Sequence, residues 1–286
     1  MFRAALQSGL GLTVAAVLQW LPCPASDVQG EKILLRDGMP FVDVRINGRG
    51  PFRMLLDTGT AACMLTPDAA RKAGLVYDHR SILTTLAGEK IIPGDSNTHI
   101  QVGEASETGV EAVVTELPAV RALDPKADGV LGRSFLGRSA YLIDYGHKRL
   151  WLGSDAVRQA DRLPVAVTAP ESDGRTLLPV RLEPGGRAWR LTLDSGASNL
   201  VVDCAERCPP IHEVQPGSRL ITFVGERSVV QGLLRHVEVG GHSMPAAEAV
   251  LVDSRPSGSG DEGVLPAKWF SAVYVNDKLV RFAAAR

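Results

Sequence analysis

The sequence has almost no net charge and no concentrated block of basic residues. Its 31 lysines and arginines are balanced by 32 aspartates and glutamates, which gives a formal net charge of −1 at pH 7. A protein that binds nucleic acid or an anionic membrane through charge carries a basic patch, because it must neutralise phosphate groups. We therefore expect no nucleic-acid partner.

Long apolar runs are also missing. The apolar run at residues 10–18, LGLTVAAVL, is shorter than the roughly 20 residues that span a bilayer. Arg3 precedes it, and the small and helix-breaking residues Pro22 to Ser26 follow it, which is the pattern of a secretory signal. We expect residues 1–26 to be a signal peptide and the protein to be periplasmic or secreted. An uncleaved anchor is the alternative.

Cysteine is scarce, with four residues in the chain. Three remain after the expected cleavage, and export would place them in an oxidising compartment. Cys204 and Cys208 are close enough in sequence for a small local disulfide, which would leave Cys63 as a free, buried thiol. Three cysteines without clustered histidine do not make a zinc site, so we expect no metal.

Turn-forming residues are abundant, with 29 glycines and 18 prolines. From Ile33 onward, short apolar runs alternate with Gly, Pro, Asn and Asp, which is typical of consecutive β-strands. Asn47-Gly48 predicts a tight hairpin between a strand at Phe41–Ile46 and one that leads to Asp57. The sequence therefore predicts an all-β fold. Further strands are predicted at Ser81–Leu86, Lys90–Ile92, Thr98–Val102, Val110–Glu116, Tyr141–Asp144 and Arg149–Leu152.

One short helix is predicted after Asp57. Thr66 is a suitable N-cap, Pro67 suits the first helical position, and Gly74 suits the C-cap.

The two halves of the chain repeat each other. Asp57-Thr58-Gly59 and Asp194-Ser195-Gly196 each follow an apolar run, and Gly88 and Gly225 each lie 31 residues beyond their aspartate. Equal offsets indicate a duplication. We therefore expect two homologous β lobes, at residues 27–155 and 165–286, joined near Ser154–Ala169.

A duplication that packs about a twofold axis would bring Asp57 and Asp194 face to face. Two carboxylates within hydrogen-bond reach share one proton, because both cannot be ionised cheaply. One acid can then act as a base and the other as an acid, as hydrolysis of an amide requires. The known aspartic proteases are the standard example of this arrangement.

On these motifs, with Asp128-Gly129-Val130-Leu131-Gly132 after the first, the sequence resembles the pepsin and retroviral aspartic proteases. Two short lobes after a signal peptide are most similar to the bacterial, retropepsin-like members, here fused in tandem. The resemblance implies a bilobal pepsin-like fold with the active cleft between the lobes. It also implies a polypeptide substrate bound in extended form, no cofactor, and a monomer.

The resemblance also implies particular residue roles. Asp57 and Asp194 would be catalytic, and the hydroxyls of Thr58 and Ser195 would brace the two acid loops, which also contain Gly59, Thr60 and Gly196. Gly88 and Gly225 would lie in the tips of hairpins that cover the cleft as flaps.

The sequence departs from the family pattern at two places. Pro266 stands where the first lobe has Gly132, so the second lobe lacks the glycine that packs beneath the acid loop in this family. Thr60 follows the first acid by three residues, whereas Ala197 follows the second. We expect a Thr60 hydrogen bond to favour an ionised Asp57 and to leave Asp194 the more readily protonated.

Two functions fit the sequence. The first is an exported aspartic endopeptidase, which could be restricted to one dedicated partner. The alternative is a catalytically inactive peptide- or protein-binding module on the same scaffold, because a fold alone does not establish activity.

Overall fold

The computed structural model describes residues 29–284 except 170, 173, 206 and 254–259. The signal peptide predicted at residues 1–26 lies outside these described residues. The described chain is mostly β, which confirms the predicted class, with four short α-helices and one 3-10 turn in addition. Within this part of the chain, no helix is long and apolar enough to span a membrane.

The described residues of the first half form eleven strands and four helices. In chain order they are β1 (Glu31–Lys32), β2 (Leu34–Arg36), β3 (Met39–Ile46), β4 (Arg49–Leu56), β5 (Cys63–Leu65), α1 (Pro67–Ala73), β6 (His79–Thr85), β7 (Gly88–Val102), β8 (Ala105–Val114), α2 (Pro118–Leu123), β9 (Gly129–Leu131), α3 (Arg133–Leu136), β10 (Tyr141–Asp144), β11 (Arg149–Leu152) and α4 (Gly153–Ala160).

The second half contains only strands and the 3-10 turn among its described residues. In chain order they are β12 (Val165–Thr168), β13 (Glu171–Ser172), β14 (Arg175–Arg181), β15 (Ala188–Asp194), β16 (Leu200–Asp203), β17 (His212–Ile221), β18 (Glu226–Leu234), β19 (Val237–Val239), β20 (His242–Met244), β21 (Ala247–Val252), β22 (Gly263–Pro266), the 3-10 turn (Ala267–Trp269), β23 (Phe270–Asn276) and β24 (Leu279–Ala284).

The strands form three sheets. The N-terminal sheet has the order β2-β3-β4-β9-β5-β8-β7-β6. The C-terminal sheet has the order β17-β18-β21-β16-β22-β15-β14-β19-β20, and β13 pairs with β14 beside this path. The shared sheet takes strands from both halves in the order β1-β11-β10-β23-β24-β12.

The N-terminal and C-terminal sheets repeat one arrangement. In the first, β9 runs parallel to β4 with Val130 opposite Leu55, and antiparallel to β5. In the second, β22 runs parallel to β15 with Val264 opposite Thr192, and antiparallel to β16. The strand pairing is therefore duplicated, as the equal offsets in the sequence predict.

The shared sheet relates the two halves by a local twofold rotation. At its centre β10 and β23 are antiparallel, with Leu142 opposite Tyr274 and Ile143 opposite Val273. Leu142 is equivalent to Val273 in the repeat, and Ile143 is equivalent to Tyr274. Each pair is therefore the twofold image of the other.

Local signals predicted the first hairpin and the first helix correctly. Asn47 and Gly48 join β3 to β4 with φ angles of 50° and 73°, both positive, as a two-residue hairpin of this kind requires. The Thr66 hydroxyl caps α1 by accepting from the Ala69 N–H at 3.3 Å. Gly74 ends the helix in the left-handed conformation.

Other elements differ from the predictions. The strands expected at Lys90–Ile92 and Thr98–Val102 are parts of one 15-residue strand, β7, whose pairing with β8 shifts register between Asp95 and Thr98. The joining stretch Ser154–Ala169 is mostly regular, because it contains most of α4 and all of β12. Packing on the shared sheet stabilises α4, which has only eight residues and buries Ala156 and Ala160.

Two buried clusters matter for the site. The main core draws apolar residues from all three sheets and holds the halves together. A second cluster lies in the N-terminal half and includes Met39, Leu55, Met64, Val113 and Val120.

Candidate active site

The two acid motifs of the repeat meet where β4 and β15 end. Asp57 directly follows β4 and is buried, and Asp194 is the last residue of β15 and is partly buried. The two strands come from different sheets, so the meeting of their ends depends on how the halves pack. The sequence prediction that the two acids lie together agrees with this geometry.

Four hydrogen bonds brace the two acid loops against each other. The Thr58 N–H donates to the Ser195 hydroxyl at 3.1 Å, and the Ser195 N–H donates to the Thr58 hydroxyl at 3.0 Å. The Thr58 hydroxyl donates to the Leu193 carbonyl and the Ser195 hydroxyl to the Leu56 carbonyl, each at 2.8 Å. All four are buried, so each loop satisfies polar groups of the other.

The glycines after the acids permit the close approach. A Cβ atom on Gly59 would lie 2.4 Å from the Asp194 Oδ2 atom, and one on Gly196 would lie 2.6 Å from the Asp57 Cγ atom. Real Cβ atoms do not approach other atoms so closely. Glycine is therefore required at both positions for the carboxyl groups to face each other.

Asp57 accepts three hydrogen bonds from its own loop. The N–H groups of Gly59 and Thr60 each donate to Oδ1 at 2.9 Å, and the Thr60 hydroxyl donates to Oδ2 at 2.8 Å. Burial raises the pKa of Asp57, and the hydrogen bonds from Thr60 and Gly59 oppose that rise because they favour the ionised carboxylate.

Asp194 has a weaker set of donors. The Gly196 N–H donates to Oδ1 at 2.7 Å, and Ala197 offers no hydroxyl. Burial raises the pKa of Asp194 well above its ordinary value, and the adjacent charge of Asp57 raises it further. The charge of Asp57 disfavours a second ionised carboxylate beside it, so we assign the shared proton of the pair to Asp194.

The acids lie in a cavity of about 830 Å³. Apolar side chains of the N-terminal half form one wall of it, including Met39, Leu55, Met64, Val113 and Val120. Residues from the C-terminal half complete the lining, among them Arg175, Ser198, Ile221, Thr222 and Phe223. This volume is within the usual range for a ligand pocket.

Residues 42–135 match a protein-family model described as aspartyl protease. The match lies within the N-terminal half of the chain and covers about a third of the sequence. The resemblance seen in the sequence is therefore confirmed for this half. The matched range includes Asp57, the braced loop and the hairpin of β6 and β7.

Among solved structures, the chain is similar to a retropepsin-like aspartic protease from Rickettsia conorii. The two are 20% identical, the match covers 38% of this chain and 77% of the other, and the TM-score is 0.28. No curated protein sequence matches the chain.

Outside the matched range, the C-terminal half supplies the hairpin of β17 and β18, which meets the hairpin of β6 and β7. The Thr85 and Thr222 hydroxyls, which are equivalent in the repeat, lie 3.1 Å apart. Arg227 donates to the Leu86 carbonyl at 3.3 Å. Ser81, Leu83, Thr85 and Ile221–Phe223 line the cavity beneath the hairpins.

Gly88 and Gly225, the predicted flap glycines, lie beside this contact. Gly88 begins β7, and an added Cβ there would lie 4.0 Å from the Val224 Cγ1 atom. Gly225 accepts the Thr222 N–H through its carbonyl at 2.8 Å and so closes the second turn. Neither glycine lines the cavity, whereas Thr85 and Phe223, three and two residues earlier in the chain, do.

The remaining predicted residues lie away from the acids. Cys204 and Cys208 form a disulfide, and Cys63 is a buried free thiol whose pKa burial raises to about 11. In the part of the chain that the structure describes, no group of three or more His, Cys, Asp or Glu side chains is placed to hold a metal ion.

Sequence reasoning missed most of the cavity wall. Met39 and Arg175 occupy equivalent positions of the repeat. Neither position is part of a recognisable catalytic motif. Val120 lies on α2, a six-residue helix too short to show a clear period. The only available signal was the repeat itself, which predicts that residues equivalent to a cavity residue also face the cavity.

Proposed function

We propose that this protein is an aspartic endopeptidase. The observation that carries the proposal is the braced pair, Asp57 and Asp194, which lie together on one cavity, each against the glycine of the opposite acid loop. The two halves would form the lobes of a bilobal pepsin-like fold, at residues 27–155 and 165–286, with the cavity as the cleft between them.

The mechanism follows from the unequal pair. Ionised Asp57 takes a proton from a water molecule bound between the acids, and the resulting hydroxide attacks the carbonyl carbon of the substrate amide. Asp194 donates its proton to the carbonyl oxygen as negative charge develops there. The acids then return a proton to the leaving amine, and the amide C–N bond breaks.

An extended polypeptide is the substrate class we propose. The hairpins of β6–β7 and β17–β18 bridge the cavity, and an extended chain could pass beneath them with its side chains alternating between the walls. Because one chain supplies both acids, a monomer would be sufficient for catalysis. We also propose that residues 1–26 direct export, which would make the protein periplasmic or secreted.

The test is cleavage of a peptide library over a range of pH. We expect a bell-shaped profile, because Asp57 must be ionised and Asp194 protonated for turnover. Asp194→Asn should reduce kcat by about 100-fold or more, since a positioned acid or base contributes about 10²–10⁴. An unchanged melting temperature for the Asp194→Asn protein would show that its fold is intact.

The same experiment tests the binding-module alternative. If wild type and Asp194→Asn both bind peptides but cleave none at any pH, the proposed peptidase activity is contradicted. Residual cleavage that is equal in both proteins would identify a contaminating protease.

A further inference from the structure

The cavity walls contributed by the two halves have different chemistry at matched positions. Met39 pairs with Arg36 in the β2–β3 hairpin, and Arg175 pairs with Ser172 in the β13–β14 hairpin. Each begins the strand that lies beside the acid-bearing strand. Met39 and Arg175 are therefore equivalent, and both line the cavity.

The next pair of equivalent residues, Leu55 and Thr192, is likewise apolar in the N-terminal half and polar in the C-terminal half. Leu55 faces Phe41 across β3 and β4, and Thr192 faces Leu177 across β14 and β15, so Leu55 and Thr192 are equivalent. Both are buried.

A third pair of equivalent residues lies just before β9 and β22. The Arg53 N–H donates to the Asp128 carboxylate and the Arg190 N–H to the Glu262 carboxylate, each at 3.0 Å. The residues before these acids, Ala127 and Asp261, are therefore equivalent, and both are buried.

In the C-terminal half, the polar members of these pairs contact one another. They are Arg175, Thr192 and Asp261. The Thr192 hydroxyl donates to Asp261 Oδ2 at 2.6 Å, and the Arg175 guanidinium lies 3.7 Å from Asp261 Oδ1. The Asp261 side chain is 1% exposed, whereas that of Arg175 is 29% exposed. The buried carboxylate thus orients an arginine whose accessible part lies at the cavity.

We propose that Arg175 is a specificity-determining residue that binds a substrate carboxylate on one side of the scissile bond. This inference rests on the proposed peptidase function. A guanidinium matches a carboxylate geometrically and forms charge-assisted hydrogen bonds with it. The twofold rotation places Met39 on the other side of the acids, where the apolar wall accepts an apolar side chain. Substrates should therefore be apolar on one side of the cleaved bond and acidic on the other.

The carboxylate could belong to an Asp or Glu side chain or to the C-terminus of the peptide. Matched peptides that carry Glu or Gln at each position, with free or amidated C-termini, distinguish these sources. We expect one position at which Glu raises kcat/KM over Gln by about 10-fold or more, since hydrogen bonds to charged groups contribute about 1.5–3 kcal/mol. A preference for free over amidated C-termini, with no difference between Glu and Gln, would instead assign Arg175 to the terminal carboxylate.

The repeat provides the variant for the test. Arg175→Met/Asp261→Ala installs the residues that the N-terminal half has at these positions, and it removes both charges together. The Glu/Gln ratio should fall to about 1 in this variant. Arg181→Met is the matched control, because Arg181 lies on the same strand but pairs with Glu238 at the surface; its ratio should equal that of wild type.

Binding measurements separate this inference from the proposed function. The Kd of each Glu and Gln peptide is measured for Asp194→Asn, with and without the Arg175→Met/Asp261→Ala changes, and melting curves check the fold. A Glu preference that depends on Arg175 supports the inference even if wild type cleaves nothing. Equal Kd values in Asp194→Asn, both for the Glu and Gln peptides and for the free and amidated peptides, would overturn it, even if wild type is an active peptidase.

Discussion

The N-terminal half presents an apolar wall to the cavity, whereas the C-terminal half has an ion pair between Arg175 at the cavity and the buried Asp261 at the matched positions. Met39, Leu55 and Ala127 in the first half correspond to Arg175, Thr192 and Asp261 in the second. The backbone pairing around these residues is nevertheless the same in both halves. Side chains on the walls have thus diverged while the strands that carry them have kept their register.

The acid loops show the opposite behaviour. Thr58 and Ser195 each satisfy buried groups of the other loop, so a change in one loop would leave unpaired groups in both. Gly59 and Gly196 are likewise each enclosed by the opposite acid. A feature that both halves must share is retained in both, whereas a wall that only one side of a ligand touches can differ.

The largest effect on stability should come from the position where Gly132 and Pro266 correspond. An added Cβ on Gly132 would lie 2.3 Å from the Ala62 carbonyl oxygen and 3.0 Å from that of Thr60, and backbone atoms cannot move aside easily. Gly132→Ala should lower the free energy of unfolding by about 1–3 kcal/mol, as overpacking does. Denaturant unfolding monitored by circular dichroism measures it.

Pro266→Ala is the matched variant in the other half. Its backbone already accommodates a Cβ, so the change should stay within about 1 kcal/mol, chiefly through the unfolded chain. Equal losses of unfolding free energy in Gly132→Ala and Pro266→Ala would contradict the idea that only the first acid loop needs a glycine packed against it.

An intermediate effect is expected from exchanging the residues at Thr60 and Ala197. Thr60→Ala removes a hydroxyl that stabilises ionised Asp57, so the pKa of Asp57 should rise and the acidic limb of the pH–kcat/KM profile should move to higher pH. Activity at the acidic end should fall several-fold.

Ala197→Thr is the complementary change. A hydroxyl there would favour ionised Asp194 and move the basic limb to lower pH. If the acidic limb of the profile does not move in Thr60→Ala, the Thr60 hydroxyl is not the cause of the difference in proton affinity between Asp57 and Asp194.

The smallest effect concerns His79 in the hairpin of β6 and β7. His79 at the start of β6 contacts Asp78 at 2.5 Å and Glu111 at 2.6 Å. Its pKa is raised by hydrogen bonds to these two carboxylates. The resulting stability is fully present below the pKa of His79 in the unfolded chain, and it is lost as pH rises through the higher folded value.

The melting temperature of wild type should therefore decline over that pH range, and His79→Gln should reduce the decline. In the hairpin of β17 and β18, Pro216 lies near the position equivalent to His79. The pairing of the two strands shifts register there. A wild-type decline that persists in full in His79→Gln would place its origin elsewhere. NMR titration of the His79 ring checks the direction of the pKa shift.

Much of the scaffold was predictable because it depends on local signals. The hairpin at Asn47-Gly48 and the caps Thr66 and Gly74 are short-range features that need no tertiary contact. The repeat added long-range information, because equal offsets from Asp57 and Asp194 require the two to be structurally equivalent. Helices α2 to α4 escaped prediction because they are four to eight residues long and are stabilised by packing.

The sequence by itself determined that two acids of equivalent position exist, which residues follow them, and that Thr60 distinguishes the first from the second. Only the tertiary structure decided which side chains surround them. Arg175 and Asp261 come from distant segments, and their contact depends on the pairing of β15 with β22. Periodicity encodes whether a residue is buried, but the partner that it meets there is set by how the strands of one sheet are ordered in space.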